Sequence, residues 1–124
     1  MVNENIDDKF RGIVNYSIIG LMQLMIKHDE WDISTEEVAQ LYDTVVGQAF
    51  DLLHKKNHDY GEAWRDMSIK SITDLILAKI LRIRQIAQND GKTLISEGTD
   101  SNYYDILNYA VFALILSKEN INQN

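Results

Sequence analysis

The sequence predicts an all-α fold, a four-helix bundle, on three observations. Proline is absent, glycine is sparse at six residues in 124, and apolar residues recur at spacings of three and four through four segments. The helices are expected near residues 7–28, 35–58, 69–89 and 101–119. The connections between them are short or moderate, so neighbours should run antiparallel and bury their apolar stripes together. With 124 residues and 45% hydrophobic content the chain is sized for one core, and residues 1–124 are expected to form a single domain.

The first helix follows a polar, acidic stretch that lacks the basic n-region of a secretory signal. From Phe10 and Ile13 to Leu24 and Met25 it is apolar on almost every side. The second helix has the clearest start, because Ser34 followed by Glu37 is a capping box: the hydroxyl accepts from a first-turn N–H and the carboxylate reaches back. Its stripe is Val38, Leu41, Tyr42, Val45, Ala49, Leu52 and Leu53. Ser71 with Asp74 is the corresponding cap expected for the third helix, and Asn89, Asp90 and Gly91 should end it. The fourth helix is again apolar nearly all round, which makes the first and fourth the expected central pair. Their most apolar stretches, 13–26 and 106–116, fall short of the roughly 20 residues a membrane span needs. Asn15, Gln23, Asn108 and Tyr109 interrupt them, so they read as buried helices with no membrane role.

The two central segments also repeat each other. At a constant offset Glu4 pairs with Glu97, Asp7 with Asp100, Ile13 with Ile106, Asn15 with Asn108, Tyr16 with Tyr109 and Leu21 with Leu114. Asp105 falls opposite Gly12, so the two copies differ at one carboxylate. Asn15 and Asn108 read most simply as buried polar residues that fix the register of the central helices.

A formal net charge of -7 argues against gripping nucleic acid directly, since that requires clustered Lys and Arg. It leaves room for a free nucleotide held through a metal ion. There is no cysteine, hence no disulfide framework and no thiolate zinc site, and cytoplasmic localisation is the default expectation. Gly-rich phosphate loops, nucleophile elbows and dinucleotide fingerprints are missing from the sequence.

The run Lys56-Asn57-His58-Asp59-Tyr60-Gly61-Glu62-Ala63-Trp64-Arg65 is the most distinctive in the chain. Thr73-Asp74, Lys79, Arg82-Ile83, Ser96-Glu97-Gly98 and Asp105-Ile106-Leu107-Asn108-Tyr109-Ala110 follow it. Together these resemble the nucleotide modification associated domain 1 family over residues 36–117. The resemblance implies one complete repeat at residues 34–119, preceded by a segment, residues 4–24, similar to the last helix of a preceding copy. The helices with Tyr-Gly, Trp and a later acidic pair are also similar to the all-α nucleotide pyrophosphohydrolases of the MazG-like group, a fold-level analogy. Glu97 and Asp100 match the Glu-x-x-Asp spacing of that group, whereas its Glu-x-x-x-Glu or Glu-x-x-Glu signature on an earlier helix is missing.

Magnesium-assisted phosphate chemistry needs several carboxylates converging on a hard cation. Two clusters are candidates: Asp59, Glu62 and Asp66, which share a face if the segment is helical, and Glu97, Asp100 and Asp105. The expected metal ligands are Glu62, Glu97, Asp100 and Asp105, with Asp105 and Glu97 as the catalytic pair. Asp105 shares a helical face with Asn108, Tyr109 and Phe112, so its charge needs a partner. Lys79 is flanked on the wheel by Ile72, Leu75, Ile76, Ile83 and Ile86, and its ammonium must find an acid, a phosphate or water. Lys79 and Arg82 are the candidate phosphate contacts. Tyr60 and Trp64 are candidates for stacking on a base, and Asn108 completes the substrate-binding set. His54 and His58 have helical metal spacing but no evident third ligand.

Two functions remain open on this reading. One is a magnesium-dependent domain that binds a nucleotide or modified nucleotide and hydrolyses it. The other is a non-catalytic bundle that binds a small nucleotide or scaffolds a protein partner, with an ion pair between Lys79 or Arg82 and Asp105. A homodimer is expected in either case, as a C2 assembly.

Overall fold

The computed structural model describes residues 2–26, 32–89 and 98–122. Among the described residues there are four α-helices and no strand: α1 (Val2–Met25), α2 (Thr35–Tyr60), α3 (Ile69–Gln88) and α4 (Thr99–Asn122), with one 3-10 turn, η1 (Ala63–Asp66), between α2 and α3. The chain is the all-α four-helix bundle that its periodicity predicts, and no described helix is long and apolar enough to cross a membrane.

Local chemistry sets the helix ends. Ser34 has extended backbone and its hydroxyl accepts from the Glu37 N–H at 3.2 Å, which satisfies one of the donors that every helix start leaves unpaired. For α3 the cap is Ser68 and not the expected Ser71, because the helix has already begun at Ile69. The Ser68 hydroxyl accepts from the Ser71 N–H at 3.0 Å, leaving Ser71 inside the first turn. Asn89 closes α3 as expected, whereas Asp90 and Gly91 lie outside the described residues.

The helices α1 and α4 form the central pair and run antiparallel: the Ser117 hydroxyl donates to Asp7 at one end at 2.6 Å, and Gly20 meets Tyr103 at the other. A Cβ at Gly20 would lie 2.9 Å from the Tyr103 ring, so a side chain there would force that ring to shift. On one side of the pair, α3 closes a core of Phe10, Ile72, Ile76, Ile106, Phe112 and Leu116. On the other, α2 closes a second core of Ile18, Leu21, Val45, Ala49, Tyr104 and Leu107.

Of the two repeated helices only α4 is covered on most sides. On α1 the outer face is open: Tyr16 is 76% exposed, and Ile19, Leu24 and Met25 are also exposed. Asn15 is exposed as well, which corrects its expected burial, whereas its counterpart Asn108 is 2% exposed. The reason is that α2 and η1 lie against the Asn108 face of α4, and no described element covers the matching face of α1.

Candidate functional site

The distinctive run that begins at Lys56 builds the turn between α2 and η1. The helix stops at Gly61, which is left-handed at φ 61° and whose N–H donates to the Asn57 carbonyl at 3.0 Å. Glu62 follows, also left-handed at φ 61°, a conformation that costs a residue with a Cβ roughly 1–2 kcal/mol. Side-chain bonds hold it there: Arg65 Nε donates to Glu62 at 2.7 Å and Asn57 Nδ2 at 3.3 Å. The same bonds, that from Arg65 first, keep the Glu62 carboxyl below its ordinary pKa. The reversal also takes Asp59, Glu62 and Asp66 off any common helical face, which corrects the expectation of an acidic stripe there.

Trp64 is fixed within this turn. Its indole N–H donates to Asn57 Oδ1 at 2.8 Å, its ring stacks on Phe112 with centroids 4.5 Å apart and planes 9° from parallel, and the Arg65 guanidinium lies over it at 4.6 Å. Arg65 also pairs with Glu119 of α4, and the Glu119 bond is the first of the causes that raise the Arg65 pKa. The ring is therefore engaged within the fold, with Phe112 on one face and Arg65 over it. Tyr60 is the last residue of α2, and its side chain falls outside the described part.

Asp105 stands where α2, α3 and α4 meet. Its carboxylate receives Lys56 from α2 and, at 3.0 Å, Lys79 from α3. It is 16% exposed, while the two lysine side chains are 35% and 30% exposed. The ion pair with Lys79 is the one that the sequence admits, and Lys56 is the partner that sequence reasoning missed. A signal was present: Lys56 lies four residues beyond Leu52 and seven beyond Ala49, on the inward stripe of α2, where a lysine needs an acid across the interface. Arg82 is half-buried one turn beyond Lys79.

Beside this triad is a cleft of about 290 Å³ lined by Lys56, Asn57, Ala63, Trp64, Asn108, Tyr109 and Phe112. Asn108 is buried in its wall, and its Nδ2 has no hydrogen-bond partner among the described residues. A buried amide donor left unpaired costs about 1–3 kcal/mol, a cost that a ligand acceptor would remove.

The other expected acids are elsewhere. Asp100 is five residues from Asp105, about 140° around the helix, and lines a separate cavity with Leu21, Leu24, Gln48 and Tyr104. Burial first and Asp100 second raise the Tyr104 pKa, and the Tyr104 hydroxyl bonds to Gln48. Glu97 lies outside the described residues. Among the described residues no three His, Asp or Glu side chains gather as a metal-binding group. Of the expected ligands, Glu62 is held by Arg65, Asp105 by two ammonium groups, and Asp100 faces another cavity. His54 and His58 are both exposed, and His54 sits edge-on to Phe50.

The profile of the nucleotide modification associated domain 1 family matches residues 1–24 and 56–116, which takes in most of α1, the turn, η1, α3 and most of α4. No curated protein and no solved structure gives a significant match. With well over half of its length matched, the chain belongs to the nucleotide modification associated domain 1 family.

Proposed function

We propose that this domain binds a small phosphorylated ligand of the nucleotide class in the cleft between the end of α2, η1 and α4. The unpaired Asn108 Nδ2 in the cleft wall carries this reading. Among the described residues it is a buried donor without a hydrogen-bond partner, beside the Lys56–Asp105 ion pair. Asn108 would donate to a carbonyl or phosphoryl oxygen, and Lys56 would turn part of its charge toward a phosphate. A cleft near the lower limit of the roughly 300–1,000 Å³ usual for ligand sites seats one base or one sugar phosphate, with the remainder outside. The family description, which associates the domain with nucleotide modification, agrees with this ligand class.

Binding without hydrolysis is the form that these acids favour, because Glu62 is held by Arg65 and Asp105 by Lys56 and Lys79. Metal-dependent hydrolysis would need Glu97 together with a rearrangement of Asp105 away from its lysines. Calorimetric titration with nucleoside mono- and triphosphates, with and without magnesium, tests the proposal. Saturable, metal-independent binding that Asn108→Leu abolishes without loss of melting temperature is the expected result. Absence of binding to every nucleotide at millimolar concentration would overturn the proposal, and binding that appears only with magnesium would favour the hydrolytic form.

A further inference from the structure

The apolar arc of α2 is wider than the bundle covers. Val45 and Ala49 turn inward and are buried, yet Val38, Tyr42, Val46 and Phe50, spaced by four residues, stay exposed, Phe50 by 58%. This ridge borders a groove of about 460 Å³ whose other walls come from α1 and α4, with Val14 and Val111 among them. A ridge and a groove therefore lie side by side on one face.

We infer that this face is the contact between two copies of the chain, related by a two-fold axis that seats the α2 ridge of each copy in the groove of the other. Two observations select a second copy. First, the face is self-complementary, as a two-fold contact requires, and rows spaced by four residues are the ridges that interdigitate in the commonest helix crossing. Second, the chain carries a net charge of -7, so most contacts between copies would bring carboxylates together. Positions 38, 39, 42, 46, 49, 50 and 53 on this arc hold no charged residue.

The chain has no cysteine, which gives the test a clean form. In Val46→Cys the new thiols should meet near the axis and oxidise to a covalent dimer, since a disulfide requires Cα atoms within about 7 Å. Leu81→Cys on α3 should remain reduced under the same conditions. Sedimentation across the micromolar range should show a monomer–dimer equilibrium for the native chain and a monomer with unchanged helical circular dichroism for Val46→Glu. A native chain that is monomeric at every concentration would overturn the inference. So would cross-linking through Leu81→Cys in preference to Val46→Cys, which would place the contact on α3. If Val46→Glu fails to fold, the cysteine pair still decides.

Discussion

Asp105→Asn is the perturbation that most directly interrogates the centre of this molecule. The substitution keeps shape and burial but leaves Lys56 and Lys79 facing one another without the carboxylate that now holds both. Solvent-exposed ion pairs contribute about 0.2–1 kcal/mol, and breaking a fully buried pair costs about 3–5 kcal/mol. Here the acid is 16% exposed and the lysines about one third exposed. Both ammonium groups can swing toward water on their flexible stems, so a loss of about 1–2 kcal/mol is expected. For a domain of this length that lowers the melting temperature by roughly 4–10 °C. The same change removes the carboxylate that holds Lys56 at the cleft, so affinity for a nucleoside monophosphate should rise several-fold, and the gain should shrink as salt screens the more exposed charge. Thermal melts at two salt concentrations, combined with calorimetry, read both quantities. A melting temperature unchanged within about 1 °C would refute the stability argument. Loss of nucleotide binding in a fully stable variant would refute the assignment of Asp105 as a counter-ion and make it a direct contact to ligand or metal.

Deletion of residues 1–26 should abolish cooperative unfolding, because α1 supplies a wall of both cores through Phe10, Ile18 and Leu21. At about 25 cal/mol per Å² such a loss exceeds the usual 5–15 kcal/mol of total stability; a cooperative, monomeric melt of the shortened chain would contradict this. Gly20→Ala should destabilise by about 1–3 kcal/mol through overpacking on Tyr103, measured by denaturant unfolding. Acidification should loosen the α2–η1 turn. Because the Glu62 carboxyl titrates below its ordinary value of 4.5 in the folded state, its contribution is complete above that value and is lost as pH falls through the depressed one. The Trp64 indole N–H resonance should report a transition there that Glu62→Gln removes. If the transition persists in the variant, another group is responsible.

The sequence by itself determined the four helices, the Ser34 cap, the α1–α4 central pair and the polar face of Asp105, Asn108, Tyr109 and Phe112. All of these follow from short-range rules: hydrophobic period, cap chemistry and the helical wheel act within a few residues. It also located the family, because the run from Lys56 to Arg65 is contiguous. That run owes its pattern to one turn, with a glycine at a left-handed position and Asn57, Trp64, Glu62 and Arg65 bonded around it. The placement of the second serine cap failed because two serines three residues apart offer the same local chemistry, and only the register at which α3 meets the core chooses Ser68.

What the tertiary structure alone decided concerns partners across helices. Lys56 and Asp105 are 49 residues apart, and no local rule pairs them. Asp100 and Asp105 are near neighbours in sequence yet face different cavities, since five residues turn a helix through about 140°. The internal repeat likewise gave α1 and α4 the same pattern, but whether an Asn or Tyr is buried depends on which elements lie above it. Asn108 lies against α2 and η1, and Asn15 is open to water. Burial is a property of the assembled layers, and for that reason the unpaired amide that marks the candidate site could be seen only in the folded chain.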